Sequence, residues 1–300
     1  MLSILIPTYN YIALDLVKSL HRQLEGQNIV YEVICFDNGS NSKTNIYNEE
    51  INKIENCHFK ALEKDGGRSR IKNLLAEKSI YPWLLFLDAD VLPVEKSFIR
   101  NYVDATKTRN EKVFYGGLRY FDEKPADNKM LRWVYGKDRE EIPLKKRNLN
   151  PQKYFTAANF LIDKDIFNKI KFDESLLEYG HEDTLFALEL KKRNIPIGQI
   201  DNPVYHLGLD KNEIFLEKIK KSIENLAYLQ QQGKIGLDDN KLLKVNNSLK
   251  KTKISLVISF LFDRFSKKME ANLTSKSPSV FIFDLYRIGY VDKIFDSGFR

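Results

Sequence analysis

Residues 83–93, WLLFLDADVLP, carry five apolar side chains straight into two aspartates separated by one alanine. A short apolar run closed by polar residues is the pattern of a strand buried on both faces, as in a parallel sheet. Two like charges at the end of such a strand repel each other unless a cation or a basic group joins them. Mg²⁺ and Mn²⁺ take hard oxygen ligands and keep positions open for substrate phosphates, so Asp88 and Asp90 read as a candidate cation seat. A solvated acidic turn has the same spacing.

The flanking sequence supplies the rest of such a sheet. SILIPT (3–8) reads as a buried strand, and residues 11–24 place Ile12, Leu16, Leu20 and Leu24 at helical spacing. YEVICFDNGS (31–40) is a second strand closed by a turn signal, followed by a polar helical stretch, the short run CHFKAL and the glycine-opened helix GGRSRIKNLLAEKS (66–79). Strand and helix alternating at this spacing predict a mostly parallel sheet covered by helices. In such sheets ligands gather at the carboxyl ends of the strands, so Pro7, Thr8 and Tyr9, then Asp37, then Asp88 and Asp90 should face one crevice. Residues 113–121 predict one further strand, and 122–152 a loop-rich stretch with a short helix over 130–135. YFTAANFLIDKDIF (154–167) resumes the strand–helix pattern, and EDTLFALELKKR (182–193) is an amphipathic helix with acids first and bases last, as the helix dipole prefers. From residue 211 the pattern turns lysine-rich and helical. The expected organisation is therefore an α/β domain over 1–210 and a helical C-terminal appendage over 211–300.

The bulk numbers bound the class. With 300 residues, 43% hydrophobic and 30% charged, and only 9 Pro and 14 Gly, the chain is a globular protein and neither collagen-like nor largely disordered. Cys35 and Cys57 show no metal-ligand or disulfide spacing, and the strand-like start LSILIPTYN has no basic leader pattern; together they predict a cytoplasmic location. No apolar run is long enough to span a bilayer; ISLVISFLF (254–262) comes nearest and is too short. The formal charge of +7 suits an anionic partner such as a nucleotide or a phospholipid surface, and equally an ordinary lysine-rich surface. An apolar helix face over 254–265, beside Lys250, Lys251, Lys267 and Lys268, would serve a peripheral membrane contact or simply pack the appendage. Nucleic acid is not expected, because no aromatic–basic platform or reading motif is present.

Three further groups carry chemistry. In YGHEDTLF (179–186), Glu182 and Asp183 sit at a helix start, either as ordinary N-terminal acids or as a general base for an acceptor hydroxyl. His206, in NPVYHLG, is a structural histidine or a nitrogen ligand completing a mixed site with Asp90. Gly66 and Gly67 precede a helix carrying Arg68, Arg70 and Lys72, where backbone donors and cations can hold an anion, although neither the P-loop nor the dinucleotide fingerprint is present.

In order, SILIPTYN, FDNGS, GGRSRIKN, LLFLDADVLP, FTAANFLIDKDIF and YGHEDTLFALELKKRN resemble the motifs of the family 2 glycosyltransferases across residues 1 to about 207. The resemblance implies a GT-A fold, a Rossmann-like sheet flanked by helices, and an inverting transfer from a nucleotide sugar, by default a UDP-sugar, to a glycan or lipid-linked hydroxyl in surface polysaccharide synthesis. It implies that Pro7, Thr8, Tyr9 and Asp37 hold the nucleotide base, with Tyr9 stacking on a uracil. Asn38 stands where the family has a second acid. Arg68 and Lys72 would meet the diphosphate, Asp88 the ribose, and Asp90 with His206 a Mn²⁺ or Mg²⁺ ion. Asp183 would be the base, with Glu182 beside it orienting the acceptor. Two rivals remain at this stage: a haloacid-dehalogenase-like phosphatase using Asp88 as nucleophile, and a non-catalytic basic adaptor at a membrane.

Overall fold

The computed structural model describes residues 1–25, 27–176, 178–252 and 254–297. In chain order the strands are β1 (Leu2–Thr8), β2 (Tyr31–Asp37), β3 (Cys57–Ala61), β4 (Trp83–Leu87), β5 (Val91–Pro93), β6 (Val113–Tyr115), β7 (Leu118–Arg119), β8 (Asn159–Asp163), β9 (Ile197–Gln199) and β10 (Val204–His206). The helices are α1 (Leu14–Leu24), α2 (Asn45–Asn48), α3 (Arg68–Lys78), α4 (Phe98–Thr108), α5 (Met130–Arg139), α6 (Leu144–Leu149), α7 (Lys164–Ile170) and α8 (Glu182–Lys192). Beyond residue 210 come α9 (Asn212–Gln231), α10 (Lys241–Lys251), α11 (Ile254–Leu273) and α12 (Val280–Ser297).

Seven strands form the main sheet in the order β3-β2-β1-β4-β8-β6-β9. β1, β2, β3 and β4 are mutually parallel, whereas β8 runs antiparallel to both β4 and β6. The strands are apolar without alternation because both faces are covered. Ile4, Ile6, Val33, Cys35, Leu85 and Leu87 point into the core shared with α1 and α4. Their neighbours Leu5, Ile34, Phe36, Leu84 and Phe86 point into the other core, under α3, α7 and α8. That second core is aromatic: Phe86 stacks on Phe160 at 4.8 Å and Phe172 on Phe186 at 4.4 Å. Such offset pairs add to the burial energy and hold β4, β8 and α8 in fixed relation. Both cysteines are free and buried in the first core.

The single strand expected over 113–121 is two strands in two sheets. β6 joins the main sheet, while β7 pairs with β10 in a three-stranded sheet of order β5-β10-β7. The break is Gly116–Gly117: Gly117 has φ of +96°, and a Cβ on Gly116 would lie 2.3 Å from the carbonyl oxygen of Asn202. Only glycine permits that backbone approach. The loop-rich stretch expected beyond it holds α5 and α6. Arg147 of α6 is buried and donates to the carbonyls of Tyr115, Gly116, Ile142 and Ile200 and to Gln199 Oε1, which fixes the ends of β6 and β9.

The chain divides into two compact units. The first comprises Met1–Tyr120, Glu140–Leu177 and Glu182–Gly208; the second comprises Phe121–Arg139, Glu178–His181 and Leu209–Arg300. The second unit is helical, and its core joins Leu131 of α5 to Phe215 and Leu216 of α9, Phe262 and Leu273 of α11, and Phe283 and Tyr286 of α12. Asn212 ties it together, accepting from Leu131 N–H and donating to the carbonyls of Asp127, Thr274 and Ser275.

Candidate active site

Parallel register brings the expected strand ends to one rim. Thr8 of β1 pairs with Asp37 of β2, and Leu5 of β1 pairs with Phe86 of β4, so Tyr9, Asn38 and Asp88 follow on the same side of the sheet. Because β8 is antiparallel, its start reaches that rim too, with Leu87 paired to Asn159.

At β1 and β2 the expected residues separate into a surface and a support. Tyr9 is 58% exposed, an aromatic face open at the strand end. Asp37 is fully buried; its carboxylate accepts from Ser40 N–H at 2.9 Å, Ser40 Oγ at 2.7 Å and Asn45 Nδ2 at 3.0 Å. It holds the turn that follows, an Asx-type arrangement. Thr8 is also buried and donates from Oγ1 to the Tyr11 carbonyl. Asn38 donates to Asp65 at 2.6 Å and accepts from Gly66 N–H at 3.2 Å, which locks the turn to the loop that opens α3. Gly39 makes this approach feasible, since a Cβ there would lie 2.2 Å from the Lys64 carbonyl carbon.

Around Asp88 the site is a buried charge cluster. Lys72 of α3 is only 6% exposed in its side chain, and Nζ lies 3.8 Å from Asp88 Oδ1 and 3.9 Å from Asp183 Oδ1. Phe172 covers the ammonium, its ring centroid 5.2 Å from Nζ. Lys72 therefore sits between two carboxylates and not at an open phosphate-binding surface. Burial disfavours its charge, but Asp88, Asp183 and Glu182 together outweigh that and raise its pKa. Arg68, one helical turn earlier and 58% exposed, pairs with Glu182 Oε1 at 3.3 Å.

Glu182 and Asp183 are driven apart. Burial works to raise Glu182, yet Arg68 and then Lys72 outweigh it and hold the carboxyl below its ordinary range. Burial raises Asp183 to about 6; Lys72 opposes this, while the neighbouring charges of Glu182 and Asp88 add to it. One oxygen, Oδ2, accepts from Ala157 N–H at 3.0 Å, just before β8. The other, Oδ1, is buried and accepts no hydrogen bond among the described residues. The two adjacent carboxyls thus carry opposed shifts, the one held by Arg68 and the other raised by burial.

Asp90 lies on the other side of Asp88, where β5 pairs with β10. Its Oδ2 is 3.8 Å from His206 Nε2, and its carbonyl accepts from Leu207 N–H at 2.8 Å. Tyr120 stacks on the imidazole with centroids 5.5 Å apart and hydrogen bonds to Glu140. A Cβ on Gly208 would lie 1.8 Å from Asp90 Oδ2, so that position must lack a side chain for the carboxylate to sit where it does. Asp88 itself is raised by burial, an effect that Lys72 offsets and Asp90 reinforces.

The rim thus unites Asp88, Asp90, His206, Lys72, Arg68, Glu182 and Asp183, with Tyr9 exposed at its β1 end. Pro7, Thr8 and Asp37 support this end. Sequence reasoning missed Gly208, Tyr120 and the Ala157 N–H. The first was visible only as a glycine two residues after a candidate ligand, and the other two depend on chain crossings that no local pattern announces.

A carboxylate-rich rim at the carboxyl ends of a mostly parallel sheet is where such folds hold ligands, and the comparisons give the class. Residues 3–171, more than half of the chain, match the family model described as Glycosyl transferase family 2; the chain belongs to that family and is a glycosyltransferase. This membership sets aside the phosphatase alternative. Among solved structures, S. aureus TarS residues 1–349 is similar at 17% identity and a TM-score of 0.51, over 99% of this chain and 91% of that one. The same protein in complex with UDP-GlcNAc gives 18% identity and a TM-score of 0.50, with the same coverage. The mannosyltransferase PcManGT from Pyrobaculum calidifontis, in complex with GDP-Man and Mn²⁺, gives 12% identity and 0.52, over 77% of this chain and 64% of that one. These likenesses establish the GT-A type fold. No curated protein matches the sequence.

Proposed function

We propose that the chain is an inverting transferase that moves a hexosyl or N-acetylhexosaminyl group from a UDP-sugar to a hydroxyl of a glycan or lipid-linked acceptor in surface polysaccharide synthesis. The observation that carries this reading is the family match over residues 3–171 together with the rim cluster in which Lys72 Nζ lies 3.8 Å from Asp88 and 3.9 Å from Asp183. A nucleoside-diphosphate sugar is supported by the ligands of the two similar structures, UDP-GlcNAc and GDP-Man. Tyr9, whose exposed ring suits stacking on a flat base, supports a nucleotide donor of either kind, and UDP follows from the resemblance of the sequence motifs.

A divalent cation fits the residues at hand. Oxygen and nitrogen ligands take such ions at about 2.0–2.2 Å, so the 3.8 Å between Asp90 Oδ2 and His206 Nε2 spans one, and the absent side chain at Gly208 leaves the carboxylate open. The mixed oxygen–nitrogen pair suits Mn²⁺ better than Mg²⁺. Among the described residues no three His, Cys, Asp or Glu side chains form a metal-holding group, so an ion here would take its remaining ligands from water and phosphate. When bound, such an ion neutralises charge on the diphosphate.

The chain's own residues do the rest. The Asp183 carboxylate, anchored by the Ala157 N–H, accepts the acceptor hydroxyl's proton as that oxygen attacks the anomeric carbon. Glu182 remains ionised against Arg68 and offers the acceptor a fixed hydrogen-bond acceptor. Arg68 is placed to meet the departing diphosphate, and the glycine-opened start of α3 adds backbone donors. Lys72 acts from beneath, holding the Asp88 and Asp183 charges together. One displacement inverts the anomeric centre. The free, buried cysteines support a reducing, cytoplasmic setting.

The direct test is a thermal-shift panel of UDP- and GDP-sugars with and without Mn²⁺, followed by product analysis. A ligand at 100 times its Kd stabilises by about 2.7 kcal/mol. A Mn²⁺-dependent shift with one UDP-sugar is expected; a response to GDP-sugars alone would replace the UDP reading, and no response to any donor would remove the nucleotide-sugar reading.

A further inference from the structure

On α11 of the second unit an apolar face is exposed. On α11, Phe262 faces inward and packs edge-on against Tyr286 of α12 at 5.3 Å. On the opposite side Val257, Phe260 and Leu261 are exposed, Phe260 to 69%. These positions recur at spacings of three and four, and the same stripe continues through Arg264, Lys267 and Lys268, all exposed. Phe265 borders the stripe, and the cations of Arg264 and Lys268 lie 5.9 and 5.8 Å from its ring centroid. The stripe's acid, Asp263, is engaged by Lys293 at 3.1 Å, so the face presents net positive charge. The side chains of Ile254 and Leu256 lie outside the described residues.

We infer that this face of α11 is a docking surface for an anionic lipid bilayer, with Val257, Phe260 and Leu261 entering the headgroup boundary and Arg264, Lys267 and Lys268 meeting lipid phosphates. The segregation along the helix favours this occupant. Apolar residues fill its first turns and cations the following ones, and long basic side chains reach outward while their stems lie along apolar surface. A second copy of the chain is the poorer occupant. A two-fold contact sets the same patch against itself, and the patch offers Arg264, Lys267 and Lys268 no acidic partner, its Asp263 being engaged by Lys293. Among the described residues no helix is long and apolar enough to cross a membrane, so the contact is one of lying on the surface. The inference stands on α11 alone and does not depend on the donor assigned above.

The test is co-sedimentation of the full chain with vesicles of phosphatidylcholine alone and of phosphatidylcholine mixed with phosphatidylglycerol, with sizing chromatography in parallel. Wild type should bind the mixed vesicles and weaken with salt. F260E/L261E and, separately, R264Q/K267Q/K268Q should each bind at least about tenfold less, with an unchanged melting temperature because all five side chains are exposed. Wild type that fails to bind mixed vesicles overturns the inference. So does undiminished binding by F260E/L261E, or a wild-type dimer that F260E/L261E converts to monomer without changing vesicle binding.

Discussion

Lys72 Nζ stands 3.9 Å from Asp183 Oδ1, and the same nitrogen stands 3.8 Å from Asp88 Oδ1. One buried cation therefore serves the carboxylate after β4 and the carboxylate at the start of α8. Removing it leaves two like charges in a poorly solvated place, where each disfavours the other's ionisation. Lys72→Met should move the acid limb of kcat to higher pH, since Lys72 is the group that most opposes the rise of the Asp183 pKa. Lys72→Arg keeps the charge and should restore the limb in part; a pH profile identical in all three proteins would show that the cation does not govern the base.

Asp183→Asn tests the base itself. Donor-induced thermal shifts should persist, while turnover falls by about 10²–10⁴-fold, the range for a lost general base. In the wild type the active form is the ionised one, so the rate should fall as pH drops through about 6. The sign for stability is opposite to that of an ordinary paired aspartate. The folded-state pKa is raised, so the folded chain binds the proton more tightly, and stability is lost as pH rises through about 6. The amide introduced by Asp183→Asn carries no charge to desolvate, and the variant should melt no lower than wild type at neutral pH.

Gly208→Ala places a methyl group on the Asp90 carboxylate, 1.8 Å from Oδ2 before any adjustment. The Mn²⁺-dependent part of the donor thermal shift should disappear, as it should in Asp90→Ala. Calorimetry that shows unaltered Mn²⁺-dependent UDP-sugar affinity in both variants would remove Asp90 from the cation site.

Tyr9→Ala should raise the donor KM and leave kcat nearly unchanged. Stacking of a base on an aromatic ring contributes about 1–3 kcal/mol, roughly 5- to 150-fold in affinity. A loss confined to kcat would place Tyr9 elsewhere in the cycle.

Gly39→Ala should cost at least about 2 kcal/mol in urea unfolding, because φ is +74° and the new Cβ meets the Lys64 backbone at 2.2 Å. Stability within about 0.5 kcal/mol of wild type would mean that the turn and the α3 loop can part without consequence.

The strands and their order of use are legible in the sequence because both faces are buried: short apolar runs such as SILIPT and WLLFL, bounded by turn signals and too short for a helix of ordinary length, read as strands. Their endings are legible for the same reason, since a polar residue after a buried run must emerge at the rim. The interior of the rim is less so. Asp37 and Tyr9 have equal claim in sequence to a ligand, yet Ser40 and Asn45 close over the first while the second stays exposed. Lys72 reads in sequence as a surface cation because helix spacing cannot reveal that Phe172 and two carboxylates arrive from distant segments. The Gly116–Gly117 break is hidden by apolar neighbours on both sides that satisfy a strand pattern unaided.

The reversed direction of β8 has a consequence for how such a protein diversifies. Leu87 and Asn159 are paired neighbours, so the aspartates proposed for the donor leave the sheet on one rail and the backbone anchor of Asp183 enters it on the next. On the proposed reading, the spacing between donor and base would follow the β4–β8 ladder, whose last pair is Leu87 with Asn159. Segments outside that ladder could then change to admit a different acceptor without moving Asp88 relative to the backbone anchor of Asp183.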